Sequence, residues 1–398
     1  MTVVVVGGSL SGLFHAIVLK HLGHNVHVLE KSSQTLLESQ AAGLNAGPDV
    51  QKLIDLYIKS ETPYGMPGAL VEIVDREGVV INSFPPNATT NLTTWRILYN
   101  ILKSHLLGEA TTLATYETEK LVGEVNYDGE MVSVSYTDIK TGVSDVRHAD
   151  LVIAADGGHS SIREGVIPDS SPEYVGYVTW RGAVPEPLLC EASRSFLSNR
   201  VFMLRAEHGF ILSYHVPSDN GSLKPGECQF IWAWYEKLDE HSDDFNENFT
   251  DISGKRHFTT VPRGKMQPKV WEKRQECGNS LNPPFAELLE KTSDPFVSAI
   301  RERQSPKSVF YDGKLLLVGD AFALFRPHLG SSTNQAAMQA LGLAEVLEGR
   351  SDLVAWERKS VEYAMKTAAL GNAYGEYCFT GKVPDSISAA IRPDESYT

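Results

Sequence analysis

Residues 3–30 constrain this chain more than any other stretch. Val3-Val4-Val5-Val6 is a β-branched apolar run, the pattern of a strand buried on both faces. Gly7-Gly8-Ser9-Leu10-Ser11-Gly12 then makes a turn, Leu13 to Leu22 carries helical spacing, and Gly23 closes the helix. A second strand, Asn25 to Glu30, ends on an acid. In such a strand–turn–helix–strand unit Gly7 permits the tight turn. A small residue at Ser9 lets a pyrophosphate approach the backbone, and Gly12 lets helix and strand pack closely. The helix N-terminus faces the phosphates, with Leu10 in the same turn. Glu30 is placed to accept hydrogen bonds from a ribose diol, and its charge disfavours a 2′-phosphate. The unit predicts dinucleotide binding, with Ser9 standing where the fingerprint usually has its second glycine.

The rest does not continue as βαβ units in series. Residues 34–60 read as helical with a break at Gly43 to Pro48, 69–84 as a hairpin around Arg76-Glu77-Gly78, and Thr93 to Leu107 as a helix. Residues 119–148 hold two or three antiparallel strands, and Leu151 to Ala155 is a short buried strand entering Asp156-Gly157-Gly158. From Tyr174 to Tyr235 the pattern is aromatic and β-rich; 236–300 is polar, then helical. Lys314 to Val318 is a last apolar strand entering Gly319-Asp320, and Asn334 to Tyr377 is helical. The nucleotide unit is therefore expected to be assembled from distant segments around an inserted sheet.

Charge narrows the partners. With 36 basic and 50 acidic residues the chain carries a net −14. This argues against a duplex nucleic-acid binder and against docking on an anionic membrane. Four scattered cysteines (190, 228, 277, 378) make no CxxC pair or Cys/His cluster in sequence, so neither a zinc site nor a disulfide framework is expected. No run of about 18 apolar residues and no secretory leader is evident, and a reducing, cytoplasmic compartment is expected. The sequons at Asn87, Asn91 and Asn248 are read as chance.

Two further motifs carry chemistry. Asp156-Gly157 follows an apolar strand, with Ser160 and Arg163 three apart on one prospective helix face. Taken alone it reads first as a strand-ending turn with a helix cap. Gly319-Asp320 precedes Arg326-Pro327-His328 and Gly330-Ser331-Ser332-Thr333, which opens a helix. Asp320 could bond a ribitol hydroxyl, and that helix N-terminus could face a ring on which negative charge develops. The three motifs, in this order and at these separations, resemble the single-component (class A) aromatic flavin monooxygenases over essentially the whole chain. The wording of Gly7–Gly12, Ala155–Gly158, Gly176–Gly182, Phe230–Tyr235 and Arg326–His328 is similar to the 2,6-dihydroxypyridine 3-monooxygenase group.

That resemblance implies an α/β chain. A Rossmann-like FAD-binding domain would come from 1–68, 88–173 and 301–350, with an inserted, mainly antiparallel β-sheet substrate domain from 69–87 and 174–300 and a C-terminal helical segment, 351–398. It implies FAD as cofactor, cradled by Gly7, Ser9, Leu10 and Gly12, with Glu30 on the adenosine ribose and Lys31 beside the adenine. Arg96 would reach the phosphates or ribitol, Asp156 belongs to a motif linked to both FAD and NAD(P)H, and Asn45 falls where relatives often carry an arginine. Asp320 would hold the ribitol, and Pro327, Gly330, Ser331, Ser332 and Thr333 would border the flavin. Two positions depart from the pattern: Ser332 replaces a glycine, and Ala323 replaces a histidine.

The reaction implied is reduction of FAD by NAD(P)H, addition of O2 to give a flavin C4a-hydroperoxide, and oxygen transfer to a small electron-rich aromatic or hydroxypyridine. Decarboxylating or epoxidising variants and a flavin oxidase or dehydrogenase are the alternatives; a homodimer is left open. An aromatic pocket is expected from Trp180, Phe210, Tyr214, Trp232, Trp234 and Tyr235. Tyr214 is the leading substrate-facing polar group, His328 the candidate proton acceptor, and Arg181 the candidate anchor. His215 should point to the opposite face of its strand from Tyr214.

Overall fold

The computed structural model describes residues 1–38, 42–60, 63–85, 89–108, 113–206, 209–382 and 384. The sequon at Asn87 lies outside the described residues. The chain divides into two compact units: Met1–Tyr64, Thr93–Glu173 and Glu302–Thr367 form the first, Gly65–Leu92, Tyr174–Arg301 and Ala368–Thr398 the second. The last boundary departs from expectation. Residues 351–398 are not a segment of their own, because one helix, Leu353–Thr380, carries Trp356 in the core of the first unit and Cys378 in that of the second.

In the first unit a six-stranded sheet runs in the order Val309–Phe310, Leu315–Leu317, Leu151–Ala154, Thr2–Val6, Asn25–Leu29, Ala114–Glu117. Every neighbouring pair is parallel except the first. Val3, Val4 and Val5 are wholly buried, as a central parallel strand demands. The helices Leu10–His21, Trp95–Gly108 and Ser332–Leu347 bury their apolar faces in the same core. Thr2–Val6 pairs with the next strand in sequence on one side and with Leu151–Ala154 on the other. Connections thus leave in opposite directions from its carboxyl end, which opens a crevice there. A separate antiparallel sheet, Lys120–Tyr127, Val132–Asp138 and Ser144–Ala149, completes the unit.

The second unit is built on one large sheet ordered Thr260–Val261, Phe296–Gln304, Glu173–Pro185, Gln229–Lys237, Gly209–Val216, Arg200–Ala206, Leu70–Val74, Val80–Phe84. Arg200–Ala206 runs parallel to Leu70–Val74, whereas Glu173–Pro185 with Gln229–Lys237, Gln229–Lys237 with Gly209–Val216, Gly209–Val216 with Arg200–Ala206, Leu70–Val74 with Val80–Phe84 and Thr260–Val261 with Phe296–Gln304 are antiparallel. The strand Phe296–Gln304 was not evident in the sequence reading, which ran helix to residue 300. Val297 and Ala299 alternate with less buried neighbours, but the run then enters Arg301-Glu302-Arg303, which masks the period.

Strand alternation corrects the expected aromatic pocket. Trp180, Trp232 and Trp234 share a core with Phe285 and Leu288 of the helix Pro283–Glu290. Trp232 Nε1 donates to Thr292 Oγ1 at 2.8 Å, and the Arg274 guanidinium lies over both Trp180 and Trp234. These indoles are structural. Phe210 and Tyr235 stack on each other in a different cluster, with Tyr177 and Cys378.

Candidate functional site

The crevice of the first unit is a cleft of about 210 Å3 lined by Gly7, Ser9, Glu30, Lys31, Asp156 and Gly157 among others. Its floor is the fingerprint turn. Gly7 sits at φ +98°, and a Cβ there would lie 2.3 Å from the Ala155 carbonyl oxygen; a Cβ on Gly12 would lie 1.9 Å from the Gly7 carbonyl oxygen. Both glycines are therefore required by close approach of backbone to backbone. Glu30 is buried and accepts the backbone N–H of Gly8 and of Ser32, each at 2.7 Å. Two bonds leave lone pairs of the carboxylate for further donors. Ser9 precedes the helix without capping it; its hydroxyl accepts Trp95 Nε1–H at 3.1 Å. Trp95 opens the helix Trp95–Gly108, so Arg96 lies in a first turn that abuts the fingerprint. Ser11 Oγ is buried without a hydrogen bond.

The Asp-Gly and Gly-Asp motifs meet through Arg163. Its side chain is fully buried. Nη2 donates to Gly158 O at 2.6 Å, Nη1 to Ala321 O at 3.0 Å and Asp320 O at 3.5 Å, and Nε to Ser170 O at 3.2 Å. One guanidinium fork thus ties two loops about 160 residues apart in sequence, a task suited to its rigid donor geometry. Asp156 accepts Ser160 Oγ–H at 2.6 Å. Burial raises its pKa above the usual carboxylate value, opposed by the Ser160 hydroxyl, the Ile162 N–H and the Lys31 charge. Burial likewise pushes Asp320 up to about 6, opposed by the Ser332 hydroxyl and the Arg163 charge. Ser332, the departure from the usual glycine, is therefore a hydrogen-bond donor to Asp320.

Beyond Asp320, Arg326 forms a two-pronged pair with Glu302, at 2.9 and 2.7 Å, which fixes the turn carrying Pro327 and the buried His328. Gly330 is left-handed (φ +60°), and a Cβ there would stand 3.3 Å from the Asn45 Cβ. Asn45 is thereby brought to the Gly330–Thr333 turn. The helix Ser332–Leu347 begins there, with Thr333 buried in its first turn and Ser331 just before it.

Three residues of that helix went unread in the sequence. Asn334 accepts Asp49 N–H and donates to Asp49 Oδ2, both at 2.8 Å. Gln335 Nε2 donates to Gly319 O and Ala323 O, and Gln339 Oε1 accepts Gly319 N–H at 2.8 Å. The available signal was two amides spaced i, i+4 in a helix otherwise lined by alanine and leucine.

In the second unit Tyr214 packs with Leu92, Val216, Ile231, Ala183 and Val201. Burial pushes its phenol above the usual tyrosine value, while the Arg181 charge pulls it down. Arg181 also stands beside Tyr235 and over the Phe296 ring; its buried Nε carries no hydrogen bond. His215, its neighbour in the strand, stacks on Phe230 instead, as alternation requires.

A family model described as "Pyridine nucleotide-disulphide oxidoreductase" matches residues 2–46, and one described as "FAD binding domain-like" matches residues 174–302. In fold and cleft the chain is similar to the single-component FAD-dependent aromatic monooxygenases. It is 29% identical over 369 residues to the 2,6-dihydroxypyridine 3-monooxygenase of Paenarthrobacter nicotinovorans, covering 90% of this chain and 87% of that one. It is 22% identical to the 6-hydroxynicotinate 3-monooxygenase of Bordetella bronchiseptica, over 87% of this chain and 82% of that one. The solved 2,6-dihydroxypyridine-3-hydroxylase from Arthrobacter nicotinovorans superposes with a TM-score of 0.84 at 27% identity, covering 96% of this chain and 93% of that one.

Proposed function

We propose that the chain hydroxylates a small electron-rich aromatic, with a hydroxypyridine as the favoured class, using NAD(P)H, O2 and FAD. The near full-length likeness to a dihydroxypyridine hydroxylase carries this reading. The residues present suit FAD. Gly7 and Gly12 leave the turn backbone open to a pyrophosphate, Glu30 keeps free lone pairs for a ribose diol, and the buried Ser11 hydroxyl lacks a partner. When bound, FAD supplies the acceptance of reducing equivalents from NAD(P)H and the activation of O2.

The chain's own residues do the rest. Gly7, Ser9, Leu10 and Gly12 hold the phosphates against the helix N-terminus, with Arg96 adding positive charge. Glu30 and Lys31 take the adenosine end. Asp320, bonded by Ser332 and braced by Arg163, holds the ribitol; Asp156 sits at the same cleft. Asn45, Pro327, Gly330, Ser331, Ser332 and Thr333 border the ring. Arg181 offers an unpartnered buried N–H to an anionic substrate oxygen, and Tyr214 orients the ring as a hydrogen-bond donor. His328 takes the proton from the substrate hydroxyl, which raises the nucleophilicity of the ring. Residues 69–87 and 174–300 serve as the substrate domain. A cytoplasmic compartment and a homodimer belong to the same proposal. All four cysteines are free, and no described helix is long and apolar enough to cross a membrane.

The test is a panel of phenols, salicylates and hydroxypyridines scored for stimulated NAD(P)H oxidation and for product mass. A hydroxypyridine that stimulates oxidation and gains one oxygen is the expected result. Flavin reduced by substrate alone, or no stimulation by any member, overturns the proposal.

A further inference from the structure

Three residues with no role in the function proposed above, and far apart in sequence, meet in the second unit. Glu186 follows the strand Glu173–Pro185, His215 lies near the end of Gly209–Val216, and Cys228 immediately precedes Gln229–Lys237. These strands are neighbours, and the register pairs Gln229 with both Pro185 and Val216. The trio therefore gathers at one end of the sheet, beneath the loop 217–228. All three side chains are buried, and a carboxylate oxygen, a ring nitrogen and the sulfur lie within 4.8 Å of one another.

Of the three, His215 is the one the protein itself leaves without a hydrogen bond. His215 is 9% exposed, yet neither ring nitrogen makes a hydrogen bond; Nε2 stands 3.8 Å from Glu186 Oε2. An imidazole in this position leaves two buried polar atoms unmet, which disfavours the empty site. Glu186 Oε2 already accepts Gly226 N–H at 2.8 Å, which orients the carboxylate as an outer partner orients a metal ligand. The Cys228 thiol donates to the carbonyl oxygens of Ser222 and Lys224 at 3.6 and 3.5 Å, long bonds that a metal would replace.

We propose that Glu186, His215 and Cys228 form a binding site for a borderline-soft divalent cation, zinc above all, that clips the loop 217–228 to the ends of three adjacent strands. The donor set is nitrogen, sulfur and oxygen, the set zinc takes in proteins. Carboxylate and thiolate together bring two negative charges, so a dication leaves the buried site neutral. Binding replaces the thiol proton: the S–H bond breaks, the sulfur–metal bond forms, and one proton goes to solvent. Tetrahedral coordination needs the donor atoms drawn in slightly from their present spacing, with water in the fourth position. A hard cation such as Mg2+ is disfavoured by the sulfur and the imidazole. None of the three ligands has a part in the hydroxylase reading, although His215 follows Tyr214 in its strand with its side chain on the other face.

The experiment uses the FAD-loaded protein, stripped with a chelator, incubated with zinc chloride and then gel-filtered. About one zinc per chain retained is the expected result. Cobalt loading should add ligand-field bands to the red of the flavin absorption and a thiolate-to-cobalt band in the difference spectrum. Cys228→Ser should abolish the latter, and His215→Ala should weaken zinc binding by about 100-fold or more. Cys190→Ser is the control: this exposed thiol, beside Glu287, should be dispensable. Wild-type protein that retains no zinc overturns the proposal without recourse to any variant. So does retention that survives both Cys228→Ser and His215→Ala, or that is lost only with Cys190→Ser. Should Cys228→Ser fail to fold, as judged by its flavin spectrum, Glu186→Gln takes its place, with zinc retention expected to fall as for His215→Ala.

Discussion

At the scale of single residues, burial decides what a side chain can do. Tyr214 is the plainest case. Because burial holds its phenol protonated well above neutrality, it can donate a hydrogen bond to substrate but cannot serve as the base. Tyr214→Phe should therefore raise KM by about tenfold, the worth of one hydrogen bond, and leave the pH profile of kcat unmoved. Steady-state kinetics across pH check this. His15, in the helix behind the fingerprint, shows the opposite shift. It is fully buried, with Nδ1 on Ser11 O at 2.8 Å, and burial lowers it from 6.5 to about 4. The folded chain refuses a proton that the unfolded chain accepts, so stability falls as pH drops from 6.5 to about 4. The loss amounts to about 3 kcal/mol over that window. Urea midpoints measured against pH should decline more steeply for the wild type than for His15→Leu.

At the scale of elements, the connections between motifs matter more than the motifs. Arg163→Met removes the fork that joins 158 to 320 and 321 and strands several buried carbonyls. A loss of about 3–5 kcal/mol is expected, read as a fall of roughly 10 °C in Tm. Arg163→Lys should not rescue it, since an ammonium cannot span both loops. This is also where the sequence stops being legible. Val3 to Glu30 could be read because each residue type answers to its immediate neighbours: valines to a two-sided strand, Gly7 to one tight turn, Gly23 to one helix end. The hairpin around Arg76-Glu77-Gly78 and the helix after Thr93 were visible for the same reason. Arg163, Gln335 and Gln339 answer to partners brought near only by the finished fold, so their identities look arbitrary in the chain. The indoles misled for a related reason. Trp180, Trp232 and Trp234 stand one residue out of step with Arg181, Ala233 and Tyr235, and in a strand that single step selects the face. Glu186, His215 and Cys228 were invisible because spacing rules for metal ligands assume donors on one turn or one hairpin, whereas these come from three strands.

At the scale of the whole molecule, the cleft belongs to segments that have no local reason to fold together. Residues 7–12, 156–163 and 319–333 meet only through the sheet order, in which Leu151–Ala154 separates Thr2–Val6 from Leu315–Leu317. A cofactor seated across them should stabilise them as one body. Adding FAD to the apoprotein should slow amide hydrogen exchange in all three segments together, by an amount that grows with ligand concentration. Protection confined to residues 7–12 would contradict that coupling. A second outcome concerns birth on the ribosome. Leu315–Leu317 cannot pair with Leu151–Ala154 until about 160 further residues have been translated. Until then an apolar parallel strand waits with one flank bare, a template for wrong partners. Nascent chains halted before that point should need chaperones and be unable to capture the flavin, so that loading of the cofactor must wait for Leu315–Leu317 to emerge.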